Sequence, residues 1–346
     1  MNNNILDDEK QLEYINKKLV KFLEKRLDIL NKNKSIDSLL IDKKTIDELR
    51  EENKNNLKTS TIEKIFTDIL SLKQYTLNDE KIVYLGPEGS YTQEAAINKF
   101  GVDNTYYSVN SIKNLFLEIE LNRAKYAIVP IENSSNGIVG DTINCFSSYD
   151  LNIIGETVLD IHHTLVSNCT KVEDIKIIYS KDIAFDQCSI FLENYHLNEV
   201  KYEYVDSTTK AAQLASQTPN SAAICSKLAS KTNDIPILFE NIEDNKDNKT
   251  RFLVISKEDT QKSLNDKTSI IVQLPNKYGS LIDFLNDFKE ARVNLNKIKS
   301  HIVKGISTFF IEFEGHKNDK NIKKILNKHS KHIKVLGSYK KEVEDI

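Results

Sequence analysis

Between residues 81 and 255 the chain alternates short apolar runs with amphipathic segments, and this alternation limits its possible folds more than any other feature. The apolar runs have the length of buried strands, and the segments between them have the length of helices. Such alternation predicts an α/β region with mainly parallel sheets. Several runs end in polar turns, and ligands of open α/β sheets bind where strand ends meet. We therefore expect polar residues from several strands to converge on one cleft.

The first apolar run, Ile82–Leu85, leads into a turn rich in glycine and proline, Gly86–Thr92, and then into an alanine-rich helix. Ser90, with Gln93 three residues later, forms a capping box that marks a helix N-terminus. Because backbone N–H groups are free there, this segment can bind an anion. It is equally consistent with a plain strand–helix turn.

A second apolar run, Tyr126–Val129, precedes the polar segment Pro130–Gly137. In this segment Glu132 could act as an acid or as a charge partner, and Asn133 could orient a substrate oxygen. Asn, Ser and Gly also favour turns, so turn formation alone would explain much of the segment. Glu132 has no role in a turn, which favours a functional site.

The segment Asn248–Ile255 has the pattern of a polar turn that runs into a buried strand, with Thr250 and Arg251 at the junction. A guanidinium can bind a carboxylate through two hydrogen bonds, and a hydroxyl beside it can donate to a leaving oxygen. We therefore predict an anion-binding pair at the mouth of this strand. The simpler interpretation is that Thr250 begins the strand and Arg251 is a surface charge.

The segment Thr157–Val166 alternates like a strand and carries His162 and His163. Adjacent residues of a strand face opposite sides, so these histidines could not share a metal ion, and we assign neither a catalytic role. Further polar candidates follow the later strands: Ser180, Gln187, Asp206, Ser207 and Thr208.

The regions that flank the α/β region, 81–256, are of different kinds. Residues 1–78 are predicted to be entirely helical, with apolar stripes too narrow to bury much area without a second copy or another domain. Residues 256–267 are charged and lack a buried pattern, which indicates a linker. Residues 268–346 have the order strand–helix–strand–strand–helix–strand, which predicts a separate α+β ferredoxin-like domain of about 80 residues.

Composition argues against several classes of function. The net charge is −3, which gives no reason to expect binding to nucleic acid or to a membrane surface. The N-terminus lacks a basic-then-apolar signal segment, and no apolar run approaches the ~18 residues that span a bilayer. The four cysteines are scattered without a CxxC pair, which argues against a disulfide framework or a zinc site. We expect a cytoplasmic protein.

From about residue 81 to 346 the chain resembles prephenate dehydratase with a C-terminal ACT regulatory domain. The motifs occur in the family's order: Gly86–Thr92, Val129–Ser134, Ser180 with Gln187–Cys188, Asp206–Thr208 with Ala211–Ala212, and Thr250–Phe252. The resemblance implies two α/β subdomains of the periplasmic-binding type, with the active site in the cleft between them and no metal or organic cofactor. Lys181–Asp182 replaces a His-Pro pair found in many members, and Val205–Asp206 replaces a Thr-Glu pair seen in some.

The implied reaction removes the ring carboxylate and the 4-hydroxyl of prephenate and gives phenylpyruvate, carbon dioxide and water. Aromatisation drives it, so the enzyme must mainly protonate the departing hydroxyl and fix two carboxylates. Thr250 matches the family's Thr-Arg-Phe threonine and would hydrogen-bond the leaving hydroxyl, while Arg251 would be a carboxylate anchor or a structural anchor. The other residues expected at this site are Glu132, Asn133, Ser90, Ser180, Gln187, Asp206, Ser207, Thr208 and Phe252.

Residues 1–78 resemble, less closely, the all-helical chorismate mutase domain that is fused to many such dehydratases. The resemblance rests on Arg26 in the first helix and on Asp47, Arg50 and Glu51 in the second. The mutase needs several cations for its dianionic substrate. The family's first arginine aligns with Glu9, which would repel that substrate, and only Lys43 or Lys44 could supply the expected lysine. We expect a retained mutase; a degenerate domain is the alternative.

ACT domains of this family bind phenylalanine at a dimer interface through a Gly-Ala-Leu-Val turn and a Glu-Ser-Arg-Pro segment. The first is Gly279-Ser280-Leu281-Ile282 here, and the second aligns with Lys299-Ser300-His301-Ile302. The resemblance therefore implies a regulatory site at Gly279, Ser280, Leu281 and Ser300. Because Lys299 reverses the charge of the family's glutamate, we expect phenylalanine to bind with weaker or altered inhibition. The alternative is a domain that only dimerises.

The resemblance thus implies an enzyme of phenylalanine synthesis with prephenate, chorismate and L-phenylalanine as ligands, and without nucleic-acid or membrane partners. A homodimer or larger homo-oligomer is expected, because the N-terminal helices and the edge strands of the ACT domain need partners. Three alternatives stay open: arogenate as the substrate, a monofunctional dehydratase, and a non-catalytic protein that binds an aromatic ligand in its cleft.

Overall fold

The computed structural model describes residues 2–32, 58–71, 81–263, 265–303 and 305–341. The chain divides into two compact units, Met1–Glu80 with Ile97–Thr105, and Lys81–Ala96 with Tyr106–Ile346. The division differs from the predicted boundary near residue 80, because the short segment Ile97–Thr105 groups with the N-terminal unit.

The described part of the N-terminal unit contains helices α1 (Asn2–Lys32) and α2 (Thr59–Ser71). The two helices are in contact through Arg26, whose Nη1 donates to the carbonyl oxygen of Ile69 at 3.3 Å. The predicted apolar stripe of α1 is exposed within the described residues, with Leu12 60% and Phe22 65% accessible. The predicted second helix, which would carry Asp47, Arg50 and Glu51, lies outside the described ranges.

A lobe built on a mixed sheet follows, and all of it except the segment Ile97–Thr105 belongs to the second unit. Its elements are β1 (Lys81–Leu85), α3 (Tyr91–Phe100), β2 (Thr105–Val109), α4 (Ile112–Glu120), β3 (Tyr126–Asn133), β4 (Gly137–Ile138), α5 (Gly140–Ser148), β5 (Asn152–Asp160) and the later strand β11 (Lys249–Ser256). The strand order is β2-β1-β3-β11-β5, with β4 paired to β3. Helices α4 and α5 cover this sheet through Phe116 and Phe146, whose rings meet edge to face at 5.0 Å.

A second lobe is inserted between β5 and β11. It contains β6 (Thr164–Ser167), β7 (Ile177–Ser180), α6 (Asp182–Asp186), α7 (Ser189–Asn194), β8 (Lys201–Tyr204), α8 (Thr208–Gln217), β9 (Ser221–Cys225), α9 (Lys227–Thr232) and β10 (Ile237–Glu240). The strand order is β10-β6-β9-β7-β8, and apolar clusters cover both faces of the sheet.

The sheets are mixed rather than mainly parallel as predicted. Strand β1 runs parallel to β3, and β7 runs parallel to β8 and β9. Strand β11 runs antiparallel to both β3 and β5, and β6 runs antiparallel to β9 and β10. The reason is the insertion: the chain leaves the first lobe after β5 and returns as β11, which enters the sheet between two strands of the opposite direction.

The predicted strand Thr157–Val166 is in fact two strands of different lobes, separated by Ile161–His163. These three residues carry the chain across to the second lobe, and residues 241–248 carry it back. The backbones of the two crossing segments bond to each other, because Ile161 N–H donates to Asn248 O at 2.8 Å and Ile242 N–H donates to His163 O at 3.1 Å. Strand β5 therefore ends before Ile161, because the backbone of Ile161–His163 bonds to the return segment instead of to a sheet.

The C-terminal region has the predicted order of elements, which are β12 (Asp266–Val272), α10 (Ser280–Glu290), β13 (Leu295–Val303), β14 (Ile306–Glu314), α11 (Lys320–Lys328) and β15 (Ile333–Lys340). The strand order is β13-β14-β12-β15. Both helices pack on one face of this sheet, where Phe284, Phe288 and Ile322 contact Ile311 and neighbouring apolar residues.

The other face of the C-terminal sheet packs against the first lobe. Val303, Phe310 and Tyr339 belong to the same buried cluster as Phe146 and Ile153 of that lobe. Residues of the predicted ferredoxin-like domain thus lie in the same compact unit as the first lobe and share its core. Both faces of the C-terminal sheet carry apolar side chains, and only one is covered by its own helices, so the second face is buried against the neighbouring lobe.

Candidate functional site

Thr250 and Asn133 lie opposite each other on the adjacent strands β11 and β3. Asn133 Nδ2 lies 2.9 Å from Thr250 Oγ1 and also 2.9 Å from Asn248 Oδ1. The Asn133 amide oxygen accepts from the backbone N–H groups of Ser135 and Asn136 at 2.9 and 3.0 Å. These bonds orient the amide so that its nitrogen donates to Thr250. Since Thr250 Oγ1 is the acceptor, its own proton is directed elsewhere, and among the described residues no side-chain acceptor takes it.

Arg251 faces the side of the sheet opposite to Thr250. Both residues lie inside β11 rather than at its mouth, and consecutive side chains of a strand alternate between faces. The predicted anion-binding pair of Thr250 and Arg251 is therefore not formed. Thr250 and Arg251 are adjacent residues of a strand, and their side chains face opposite sides, as expected for His162 and His163 in the predicted strand.

The Arg251 side chain is completely buried in an ionic cluster with Glu156, Lys267 and Glu312. Its Nη1 lies 3.2 Å from Glu156 Oε2, and its Nη2 lies 2.8 Å from Glu312 Oε2. Lys267 Nζ contacts Glu156 Oε2 at 2.9 Å. Burial alone would raise the pKa of Glu312, but Arg251 and Lys267 hold it below its ordinary value. Arg251 is therefore a structural anchor, the second of its two expected roles, and Phe252 beside it is a core residue, 2% exposed.

Glu132 also points away from Thr250, towards the C-terminal sheet. It is 4% exposed, and its carboxylate is paired with Lys297 Nζ and, at 3.4 Å, with Lys299 Nζ. The prediction of an acid in the cleft is corrected, because two lysines of β13 neutralise and enclose the carboxylate. Of the two roles expected for Glu132, acid or charge partner, it has the second.

The turn between β1 and α3 is capped as predicted. Ser90 Oγ accepts from Gln93 N–H at 3.3 Å and donates to Leu85 O at 2.9 Å. Gln93 Oε1 accepts from Gly89 N–H at 2.5 Å, one residue earlier than a capping box requires. The Ser90 hydroxyl is thus engaged within the turn.

The same turn sits against the second lobe at the start of α8 and α9. Gly89 has φ +87°, and a β-carbon there would lie 3.0 Å from Ala229 Cα and 3.1 Å from Thr209 Cγ2. Ser226 Oγ donates to Gly89 O at 2.8 Å. Glycine is needed at this position for its conformation and for the close approach of the two lobes. The N-termini of α3 and α8 are consequently brought together.

Three predicted residues lie at the start of α8. Ser207 is its N-cap and accepts from Lys210 N–H at 3.1 Å, Thr208 is partly buried, and Asp206 is exposed. The first turn of a helix has free N–H groups and a partial positive charge. Because α3 and α8 begin close together, this junction suits an anionic group.

Ser180 and Gln187, both predicted to bind substrate, have different surroundings. Ser180 is completely buried, and its hydroxyl donates to Ile224 O at 2.9 Å, so it bridges two strands and does not face a cleft. Gln187 is partly buried, and its Oε1 lies 2.9 Å from His163 Nε2. The Ser180 prediction is corrected for this structure.

His163 is a residue that the sequence interpretation missed. It is 3% exposed, and besides Gln187 its ring contacts the Tyr91 hydroxyl, with Nδ1 at 2.8 Å. Its backbone N–H donates to Glu243 Oε2 at 2.8 Å, and the other oxygen of Glu243 contacts His162 Nδ1 at 2.7 Å. Burial lowers the pKa of His163, which favours the neutral ring.

His163 therefore joins the turn after β1, both crossing segments and the helix region of Gln187. The signal in the sequence is the His162–His163 pair itself, whereas its proximity to residues 241–248 follows only from the structure. Asn248, 3% exposed, similarly connects the Asn133–Thr250 pair to the crossing segments. The two groups of polar residues thus both adjoin the place where the chain crosses between lobes.

The remaining predicted residues lie elsewhere. Gly279 is the N-cap of α10, Ser280 and Leu281 follow it, and Ser300 is exposed on β13. Arg26 is partly buried between α1 and α2, whereas Asp47, Arg50 and Glu51 lie outside the described residues. Among the described ranges, no group of three or more His, Cys, Asp or Glu side chains is arranged to bind a metal, and no helix is long and apolar enough to cross a bilayer.

The protein is of the α/β class and has two lobes, between which the chain crosses twice. An oriented hydroxyl–amide pair lies beside the crossing. This is the architecture of a small-molecule-binding protein. The profile of the family described as prephenate dehydratase matches residues 82–260. The chain belongs to the prephenate dehydratase family.

The similarity extends to relatives of known name. A bifunctional chorismate mutase/prephenate dehydratase of Aquifex aeolicus is 36% identical over 283 residues, which cover 80% of this chain and 78% of that protein. A prephenate dehydratase of Methanocaldococcus jannaschii is 34% identical over 274 residues, which cover 75% of this chain and 98% of that protein. A prephenate dehydratase of Arthrobacter aurescens, solved in complex with L-Phe, has a TM-score of 0.70 at 29% identity and covers 77% of this chain and 92% of that one.

Proposed function

We propose that this chain is a prephenate dehydratase, which converts prephenate into phenylpyruvate, carbon dioxide and water. Family membership supports the reaction, and the observation that carries the mechanism is the bond from Asn133 Nδ2 to Thr250 Oγ1. The bond leaves the threonine proton free to point at a ligand.

In the proposed mechanism the ring carboxylate leaves as carbon dioxide, and its bonding electrons move through the ring to expel the 4-hydroxyl. Thr250 donates a hydrogen bond to that oxygen as its negative charge develops, and the oxygen leaves as water after taking up one proton. A hydrogen bond that strengthens in this way stabilises the transition state more than the bound substrate. Asn133 keeps the hydroxyl in the donating orientation.

Prephenate carries two carboxylates, so the site must also bind negative charge. Arg251 is completely buried and cannot reach a ligand in this structure. We assign this role to the adjoining N-termini of α3 and α8, with Thr208 at the first position of α8. Gln187 is a further polar group at the lobe junction, oriented by His163.

The direct test is to mix the purified protein with prephenate and to follow phenylpyruvate in wild type, Thr250→Ala and Thr250→Ser. Removing the donor should lower kcat by about 10²-fold or more while substrate binding is largely kept, and the serine variant should retain much of the rate because it keeps the hydroxyl. A near-normal rate in Thr250→Ala would contradict the mechanism.

The same assay separates the alternatives. Binding of prephenate by the wild-type protein without turnover would indicate a non-catalytic ligand-binding protein. A parallel reaction with arogenate tests the other substrate, which differs by an amine in place of the keto group.

A second activity, chorismate mutase, is proposed for the N-terminal unit. The support is that relatives such as the A. aeolicus protein are named bifunctional, and that Arg26 is partly buried between two helices. We expect Arg26→Ala to abolish chorismate consumption and to leave dehydration unchanged, because the two sites belong to different units. Rates with chorismate and with prephenate would be measured on the same preparation. A wild-type protein without mutase activity would decide for the degenerate domain.

Regulation by phenylalanine is proposed for the C-terminal region. The A. aurescens structure contains L-Phe, and the strand–helix order of residues 266–340 agrees with an ACT domain. The proposed site comprises Gly279, Ser280, Leu281 and Ser300, in a cytoplasmic homodimer or larger homo-oligomer.

A further inference from the structure

Strand β13 contacts the segment that carries Asn133 at both of its ends. At the start of this segment, Glu132 is paired with Lys297 and Lys299. At its end, the His301 ring lies against Gly140, where a β-carbon would come 2.5 Å from the ring atom Cε1. The residues between these contacts form the turn after Asn133, the short strand β4 and the start of α5.

The side chains of β13 alternate between two environments. Lys297, Lys299 and His301 face the first lobe, and the Lys297 side chain is only 7% exposed. The intervening residues face outwards, with Ile298 43% and Ile302 68% accessible and Ser300 exposed between them. Strand β13 therefore faces the Asn133 segment on one side and carries Ser300, one residue of the proposed phenylalanine site, on the other.

The path from β13 to the reacting hydroxyl is short. Glu132 directly precedes Asn133 in β3, and Asn133 Nδ2 donates to Thr250 Oγ1 at 2.9 Å. A displacement of Glu132 would move the Asn133 backbone and therefore the donor that orients Thr250. Misplacement of a catalytic group by about 1 Å can cost about 10²-fold in rate.

We propose that Lys297, supported by Lys299, is a positioning residue that acts through Glu132 on Asn133 and Thr250, and that β13 thereby couples the outward-facing regulatory side to the reaction. The coupling rests on the proposed dehydratase function and on the proposed phenylalanine site. This coupling differs from a general contact between domains, because Lys297 and Lys299 both pair with the carboxylate of Glu132, the residue next to Asn133.

The experiment compares Lys297→Met with Lys334→Met. Lys334 is a matched control: it belongs to the same interface, but its partners are Tyr149 O, at 2.5 Å, and Asp150 rather than Glu132. We expect Lys297→Met to lower kcat at least about tenfold with little change in KM, Lys299→Met to have a smaller effect, and Lys334→Met to stay near the wild-type rate. Lys297→Arg, which keeps the charge, should recover part of the rate. Equal rates in Lys297→Met and Lys334→Met would overturn the proposal.

A double-mutant cycle tests whether Lys297 acts through Glu132. If it does, adding Lys297→Met to Glu132→Gln should cause little further loss of kcat, whereas independent structural damage would give multiplying losses. Multiplying losses would count against the proposal. The partly exposed Lys299 provides the variant for the same cycle if Lys297→Met does not fold.

Two further readouts separate this proposal from those on which it rests. Lys297→Met should bind L-phenylalanine with unchanged affinity by calorimetry but respond to it with weaker inhibition; unchanged inhibition would refute the coupling. Amide hydrogen exchange of residues 133–139 should be faster in Lys297→Met than in Lys334→Met, whether or not the wild-type protein turns over prephenate. Inactive wild type with this exchange difference would refute only the proposed function, and identical exchange would refute the positioning role.

Discussion

At the scale of single residues, the candidate site depends on polar side chains that are held by several hydrogen bonds, one partly buried and one buried. Asn133 and His163 are the two examples, since each orients a neighbour that is closer to the proposed ligand: Thr250 in one case and Gln187 in the other. Such polar groups gain their orientation from a complete set of partners, and losing one partner costs more than a typical surface change.

His163 should make folding stability dependent on pH. Burial lowers its pKa in the folded protein, so the neutral ring is favoured there, whereas the unfolded chain takes up a proton near a pH of about 6.5. Below that value protonation stabilises the unfolded chain first, so the contribution of His163 to the free energy of unfolding is present at higher pH and is lost as pH falls.

The measurement is urea unfolding of wild type and His163→Gln between pH 5 and 8, in steps of about half a unit. The stability advantage of wild type should shrink as pH falls through about 6.5. The exposed His196, whose backbone is left-handed with φ 54°, provides the control variant His196→Asn. A pH-independent difference between wild type and His163→Gln would contradict the assignment of a neutral buried ring.

At the scale of elements, we expect the addition of a single carbon atom to the turn after β1 to affect both lobes. A β-carbon added at Gly89 would lie 3.0–3.3 Å from atoms of α8 and α9. One of these atoms, Ala229 Cα, belongs to the backbone and cannot rotate away. The turn must shift if a side chain is added there, and the helix N-termini assigned to anion binding would shift with it.

We therefore expect Gly89→Ala to lower the melting temperature and to raise KM for prephenate. Gly305→Ala is the matched control, since Gly305 has a similar φ of +80° but no neighbour within 4 Å of its hypothetical β-carbon. Both variants carry the backbone strain, about 1–2 kcal/mol, so the excess effect of Gly89→Ala measures crowding between the lobes. Differential scanning calorimetry and initial rates would give both quantities, and indistinguishable variants would argue against tight seating of the turn.

At the scale of the whole second unit, the C-terminal sheet and the first lobe share one apolar core and a buried ionic cluster. Arg251 of β11 is paired with Glu312 of β14, although they are far apart in sequence. Breaking one member of such a buried group costs about 3–5 kcal/mol, because the remaining charge is left without its partner. The C-terminal region is therefore firmly attached to the lobe that carries Thr250.

Phenylalanine binding is the prediction at this scale. Calorimetric titration with L-phenylalanine should give a binding signal, and dehydratase rates at the same concentrations should show inhibition weaker or differently tuned than in the family, because Lys299 replaces a glutamate. D-phenylalanine serves as the control ligand, and light scattering gives the oligomeric state. No detectable binding at millimolar L-phenylalanine would leave the C-terminal region as a dimerisation module.

Local patterns in the sequence were sufficient for the elements and for part of the site. The elements of the C-terminal region follow the predicted order, and the Ser90 cap forms where its spacing predicts. Thr250 and Asn133 were recognised as site candidates and are found hydrogen-bonded to each other. Periodicity, capping and motif order depend on neighbours in the chain, which is why they can be inferred without a structure.

The tertiary structure alone decided which face of each strand is covered and by what. Arg251 became a buried anchor and Glu132 a partner of Lys297 because the C-terminal sheet packs on one side of β3 and β11. Ser180 was enclosed by a neighbouring strand, and His163 acquired its partners where the chain crosses between lobes. The physical reason is that alternation assigns side chains to two faces, whereas the choice of the buried face depends on segments distant in sequence.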